Sequence, residues 1–224
     1  MKTCIILGDR SDLARAMLPF LLADGWTVHG WNRDSSWTIG DVRWDMVLCA
    51  LGRVAPVGHW WEQNEDDVWE CFTSNILLPM QLLRALWANR NEGASVCMLA
   101  GSNPNRIMDG YAAYNSSKMA LLKLIEQMDH ECTACKVFAL APGYVPTKIH
   151  KATLDAQWPN ERIERGDGGT PIQRIYDTLK WAVAQDKTVI GGRNLCCSDP
   201  WDTNPSLTDL LELSPSKYKL RRVE

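Results

Sequence analysis

The chain opens on a strand, a glycine turn, a helix and a second strand, and that unit constrains its fold more than any other feature of its 224 residues. Lys2 to Leu7 is a short β-rich run that ends at Gly8. Leu13, Ala14, Met17, Leu18, Leu21 and Leu22 then recur at helical spacing, Gly25 closes the helix, and Thr27 to Trp31 reads as a strand. The alternation continues. Met46 to Leu51, Ser95 to Ala100, Val137 to Ala141 and Thr188 to Ile190 read as strands. Glu65 to Arg90, with an expected break near Pro79, Tyr114 to Met128 and Pro171 to Ala184 read as helices. Strands alternating with helices predict an α/β fold, a single doubly wound parallel sheet with helices on both faces. No repeat or low-complexity linker divides the chain, so one domain over 1–224 is expected. Within it, 148–169 reads as a loop over the site, with Pro159 to Gly169 its mobile part, and a tail begins at about 202.

Composition narrows the partners. The formal net charge is -3, with no basic stripe to neutralise phosphates, so nucleic acid is not an expected partner. Lys217, Lys219, Arg221 and Arg222 form the strongest basic cluster and read as a solvated tail. The apolar run at the N-terminus is too short for a signal peptide, and no window approaches the ~20 apolar residues of a membrane span. Eight cysteines without a secretion signal suggest reduced thiols, and the expectation is a cytoplasmic protein without a membrane partner. Cys132 and Cys135 form a CxxC that lacks the second ligand pair of a zinc site or the helix N-terminus of a redox site. No metal is expected. The eleven tryptophans read as core and interface packing.

Two local patterns carry chemistry. A glycine between strand and helix permits a tight turn, and the helix N-terminus then offers unpaired N–H groups to a pyrophosphate. Tyr114 and Lys118 lie four apart and share a helix face. A lysine ammonium beside a phenol favours the phenolate, lowering a pKa of about 10 toward the working range, and such a tyrosine can exchange a proton with an alcohol oxygen. An exposed helix pair is the plain alternative.

Taken together and in order, these sites and several others resemble the short-chain dehydrogenase/reductase family. Gly8 matches the first glycine of its GxxxGxG turn, whose other glycines are Asp12 and Ala14 here. Cys49-Ala50-Leu51-Gly52 stands in place of its NNAG, and Asn75 matches its active-site asparagine. Ser102 lies twelve residues before Tyr114, near its serine, although Gly101 can occupy that site instead. Pro142 to Thr147 matches its PG-x-x-x-T segment. The resemblance runs from Lys2 to about Arg193. It implies a Rossmann-type fold and hydride transfer between a nicotinamide cofactor and a small-molecule carbonyl or alcohol. Tyr114 would act as acid/base, Lys118 as its partner, Ser102 would bind the substrate oxygen, and Asn75 would support a proton-feeding water chain.

By the same resemblance the dinucleotide lies on Gly8, Arg10, Ser11, Asp12 and Leu13, on Asn32 and Arg33, on Asp41, Ala50 and Gly52, on Tyr114 and Lys118, and on Pro142, Gly143, Val145 and Thr147. Asp12 would either cap the helix or repel a pyrophosphate. An acidic residue after the second strand suits the 2′-OH of NAD and an arginine the 2′-phosphate of NADP. Asn32 and Arg33, with Arg10 nearby, favour NADP(H) over NAD(H); Asp34 is the counter-candidate for NAD, and a surface Arg33–Asp34 pair is the plain reading. The C-terminal stretch from Gly192 resembles that of reductases encoded among bacterial surface-polysaccharide genes, which hints at a carbohydrate-related substrate. Helices equivalent to Glu65–Arg90 and Tyr114–Met128 pair across a two-fold axis in the family, implying a homodimer or homotetramer, with Leu78, Leu82, Leu86, Met119 and Leu122 supplying apolar surface. The rival readings are a non-catalytic dinucleotide-binding regulator of the same fold and a sugar-nucleotide epimerase, for whose substrate domain the chain leaves little room.

Overall fold

The computed structural model describes residues 2–35, 42–101, 106–166, 168–201 and 203–220. Six strands, β1 (Thr3–Leu7), β2 (Thr27–Trp31), β3 (Trp44–Cys49), β4 (Arg90–Leu99), β5 (Cys135–Ala141) and β6 (Asn194–Cys196), form one sheet in the order β2-β1-β3-β4-β5-β6. All five pairings are parallel. The chain winds outward from β1 to β2, then returns across β1 to β3, so the switch in direction falls between the C-terminal ends of β1 and β3. That is where open α/β sheets bind ligands.

Residue alternation along β1 sorts the core. Cys4 and Ile6 pack beneath α1 (Asp12–Ala23) and α7 (Ile172–Ala184), through Ala14, Met17, Leu21, Ile175, Leu179 and Ala182. Ile5 and Leu7 pack on the opposite side beneath α3 (Leu78–Leu86) and α4 (Ala112–Glu131), through Leu83, Leu86, Leu121 and Ile125. Seven of the eight cysteines are buried, six of them in these layers and Cys71 on the helix Glu65–Phe72; Cys196 is partly exposed, and all are free thiols.

The expected helix 65–90 is three pieces. Helix α2 (Glu65–Phe72) passes into a π turn (Thr73–Leu77), and α3 follows. Pro79 has no N–H for the Asn75 carbonyl four residues earlier, and the ladder widens there, with Leu78 donating to the Thr73 carbonyl.

Three expectations fail. The run Thr188 to Ile190 is not a strand but the end of a short helix, α8 (Lys187–Ile190). Three β-branched residues are too few for periodicity to decide, and the last strand forms after the turn at Gly192 (φ +69°) instead. The segment 148–169 is not plain loop: it holds a 3₁₀ turn (Lys148–His150), α5 (Lys151–Asp155) and α6 (Glu161–Arg165). Residues 203–220 are not a free tail, and Arg221 and Arg222 of the expected basic tail lie outside the described residues. Helix α9 (Pro205–Leu213) buries Leu211, and Trp201 stacks on Trp181 with Tyr218 edge-on to it. Arg193, 1% exposed, donates to the carbonyls of Leu211, Ser214 and Lys217 at 2.6, 3.1 and 3.0 Å. Only some tryptophans are core: Trp44 and Trp201 are buried, whereas Trp60, Trp61 and Trp69 stand out in solvent.

Candidate active site

Tyr114 and Lys118 occupy the start of α4, and Asn75 reaches them from the π turn. The buried Asn75 amide donates to Ser117 Oγ at 2.8 Å and to the Arg53 carbonyl at 2.9 Å, and its oxygen accepts the Arg53 N–H at 2.8 Å. Ser117 in turn donates to the Tyr114 carbonyl at 2.7 Å. One asparagine thus ties the chain leaving β3 to the first turns of α4. Gly52 forms the floor between them. A Cβ there would lie 3.4 Å from Asn75 Oδ1 and 3.6 Å from Lys118 Nζ.

The lysine does not act on the phenol as its spacing suggests. Lys118 Nζ donates to the Leu99 carbonyl at 3.0 Å and lies over the Tyr114 ring, 5.8 Å from its centroid. Desolvation therefore dominates both groups. It pushes the phenol of Tyr114 up to about 12, with Cys71 and Tyr111 acting the same way, and lowers Lys118 to about 8 against the opposing pull of Cys49 and Cys71. At neutral pH the pair is a protonated phenol beside a cation.

The glycine turn comes next. Gly8 has φ +85°, and a Cβ on it would meet Leu51 Cδ2 at 3.0 Å and the Ala50 backbone at 3.2 Å, so only glycine lets the ends of β1 and β3 approach. Ser11 caps α1, its Oγ accepting the Ala14 N–H at 3.1 Å, and Leu13 packs on the core. Asp12 does not cap. Its carboxylate accepts the Lys148 N–H at 2.8 Å and pairs with Lys148 Nζ at 3.1 Å, and Lys148 Nζ also donates to the Arg10 carbonyl at 3.1 Å. These contacts, led by the Lys148 backbone, hold Asp12 below the usual carboxylate range. The negative charge in the turn is neutralised by the residue after Thr147.

At the end of β2, Asn32 donates to Asp9 Oδ1 at 2.9 Å and accepts from the Asp34 N–H at 2.9 Å. Asp34 pairs with Arg10 and not with Arg33. Arg33 instead lines a cleft of about 310 Å³ with Gly52, Arg53, Ser74 and Lys148. Gly143 (φ +79°) brings the backbone of the PG-x-x-x-T segment against Thr170, Val145 is buried, and Thr147 Oγ1 donates to the Val145 carbonyl at 3.3 Å. Pro142 lies at the end of β5 beside Gly143, and Ala50 N donates to the Leu7 carbonyl at 2.8 Å, at the sheet switch. Ser102 and Asp41 lie outside the described residues.

Sequence reasoning missed Asp9, Arg53 and Lys148. Asp9 needs Gly30, where a Cβ would lie within 2.3 Å of its carboxylate. Arg53 pairs with Asp67 at 2.7 Å and Glu70 at 3.0 Å on α2. Arg53 directly follows Gly52 and Lys148 directly follows Thr147, so adjacency to a motif was the available signal.

A helix N-terminus at the sheet switch and a cleft bearing Arg33 and Lys148 suit a ligand with linked phosphates. The model of the short chain dehydrogenase family matches residues 45–158, just over half of the sequence. No curated protein matches the chain. Among solved structures, a short chain dehydrogenase/reductase from Saccharomyces cerevisiae superposes with TM-score 0.75 at 16% identity, over 93% of this chain and 99% of that one. A short chain dehydrogenase from Shigella flexneri complexed with NADP gives 0.73 at 15%, over 88% and 97%. The aldohexose dehydrogenase of Thermoplasma acidophilum gives 0.74 at 13%, over 87% and 91%. These likenesses establish the fold. Sequence match and sheet topology together make the chain a member of the short chain dehydrogenase family, nicotinamide-dependent oxidoreductases that act on small molecules.

Proposed function

We propose that this chain is an NADP(H)-dependent oxidoreductase that interconverts a carbonyl and an alcohol, with Tyr114 as proton donor. The observation that carries the reading is the knot of Asn75, Ser117, Tyr114 and Lys118 over Gly52, which holds a neutral phenol and a buried ammonium behind a glycine that itself lines the cleft with Arg33, Arg53 and Lys148. The cofactor supplies or takes the hydride. Tyr114 gives its proton to the carbonyl oxygen in reduction, and a phenol protonated at neutral pH suits that direction. Lys118 holds positive charge beneath it, so that negative charge forming on the phenolate or the substrate oxygen is met by a cation. Ser102 takes the role of a hydrogen-bond donor to the substrate oxygen.

The dinucleotide is held by the turn from Gly8 to Leu13, by Ala50 and Gly52, and by the segment from Pro142 to Thr147. Arg33, which lines the cleft while Arg10 is engaged with Asp34, favours the 2′-phosphate of NADP; the NADP complex of the Shigella relative is in keeping with this. The regulator alternative draws on the altered glycine turn and the displaced serine; of these, the charge that Asp12 brings to the turn is met by Lys148. A single domain over 1–224, a substrate segment at 148–169, a cytoplasmic location, a carbohydrate-related substrate and a homodimer or homotetramer belong to the same proposal. Among the described residues no helix is long and apolar enough to cross a membrane.

The test is Tyr114→Phe. It should lower turnover of a carbonyl substrate by about 10²–10⁴-fold while NADPH still binds, read by nicotinamide fluorescence. Near-normal turnover in this variant would overturn the mechanism.

A further inference from the structure

Between β3 and α2 the chain carries Gly58-His59-Trp60-Trp61-Glu62-Gln63. The His59 and Trp61 rings stack with centroids 4.5 Å apart and planes 7° from parallel. Trp158 meets His59 edge-on at 5.0 Å, and Trp60 stands edge-on to Trp61 at 5.7 Å. Four rings thus form one continuous aromatic surface, yet Trp60 and Trp61 remain 70% and 62% exposed. Scattered exposed apolar residues need no explanation, but a contiguous patch marks a place where something binds.

The patch is fixed to the segment that leads into α4. Trp158 Nε1 donates to the Asp109 carbonyl at 2.8 Å, and its ring covers Gly110, where a Cβ would come within 2.4 Å of the indole. Gly58 N donates to the Gly110 carbonyl at 3.0 Å. The next residue, Tyr111, precedes α4 directly, and its hydroxyl is held by Thr153 and Asn160, both at 2.8 Å. Gly110 lies four residues before Tyr114 in the chain. The rings therefore stand on well-anchored backbone that leads into the first turn of α4, which carries Tyr114.

We infer that His59, Trp60, Trp61 and Trp158 form a stacking subsite for a saccharide ring of the substrate. The inference rests on Tyr114 being the proton donor and names the substrate class of that site. A ligand lying on an open platform keeps its far face and edges in water, so it must be apolar on one face and hydroxylated at the rim. A sugar ring offers C–H bonds on its face and hydroxyl donors at its edge, and the exposed carboxylates of Glu62 and Asp109 stand in the flanking segments as acceptors. A wholly apolar ring is better served by an enclosed pocket.

The experiment is a tryptophan-fluorescence titration of the full chain with a panel of hexoses, pentoses and their methyl glycosides, with cyclohexanol and tetramethylammonium as controls. Saturable quenching by at least one sugar, and by neither control, is expected. Trp61→Ala should weaken it about tenfold, Trp61→Phe should restore most of it, and Tyr114→Phe should leave it intact. With a sugar substrate in hand, Trp61→Ala should raise KM with kcat nearly unchanged. No saturable sugar response, a response untouched by Trp61→Ala, or binding of either control in its place would overturn the subsite. Sugar binding that persists while Tyr114→Phe proves fully active would instead strike down the proton-donor assignment and leave the subsite standing.

Discussion

Tyr114 and Lys118 sit at the spacing that promises a depressed phenol, yet burial outweighs proximity, because the ammonium is directed to the Leu99 carbonyl and not to the hydroxyl. The titrating member near neutrality is Lys118, lowered to about 8. It is cationic below that pH and neutral above it. If its charge supports proton transfer, kcat/KM for NADPH in the reductive direction should be flat at low pH and fall as pH rises through about 8, and Lys118→Met should be slow with that limb gone. A limb unchanged in Lys118→Met would assign the titration elsewhere. Arg33 invites a second measurement. Since Asp34 is engaged by Arg10, Arg33→Ala should weaken NADPH by about 1–3 kcal/mol and NADH far less, by fluorescence titration. Equal losses for both cofactors would remove Arg33 from the 2′-phosphate.

Among the elements, the π turn does the positioning that a regular helix would not. It directs the Asn75 side chain onto Arg53 and Ser117; the bond to Ser117 is buried and the two to Arg53 are partly so. Asn75→Ala leaves the Arg53 N–H unpaired and its carbonyl with only the weak Cys71 thiol donor, so a loss of about 1–3 kcal/mol of stability by denaturant melting is expected, together with a loss of turnover. Unchanged stability would mean that water replaces the amide freely. This site was legible in the sequence as far as motifs and helical spacing reach: Gly8, Gly52, Asn75, Tyr114, Lys118 and the segment from Pro142 were named from the chain alone, and the structure brings Gly52, Asn75, Tyr114 and Lys118 together. What could not be read was direction. Spacing puts Lys118 on the face of Tyr114 but cannot say that Leu99 claims its ammonium. Nor can it show that Asp12 turns to Lys148, since partners 136 residues apart leave no local trace.

At the scale of the molecule, alternation of strands and helices was enough to foresee the sheet, because each element's apolar pattern has only one kind of surface to cover. It failed where runs were short, as at Thr188 to Ile190, and where one buried arginine, Arg193, gathers the C-terminal segment through three carbonyls. Assembly shows the same limit. Of the five apolar residues expected to divide between the parent sheet and an interface, Leu82, Leu86 and Leu122 are buried over the sheet, Leu78 packs against the same core and Met119 is partly exposed. The exposed large apolar side chains along α2, the π turn and α3 are Trp69, Leu77 and Met80, spaced to share one face. That face can meet its own copy about a two-fold axis. Light scattering at micromolar concentration should give at least twice the chain mass, and Trp69→Asp with Met80→Asp should reduce it. A monomeric mass for the unaltered protein would refute the dimer.

The sealed thiols carry one more consequence. Burial pushes Cys4 and Cys197 up to about 12 and raises Cys97 and Cys49 as well, so in the folded protein they are neither ionised nor reachable. Unfolding releases the seven buried thiols at once, with Cys132 and Cys135 separated by two residues and Cys197 beside the already part-exposed Cys196. In air such a chain oxidises into pairings for which the native layers have no room. Heating is then a ratchet: the molecule that melts with a reductant present can return on cooling, and the one that melts without it is lost to cross-linking, whatever its equilibrium stability.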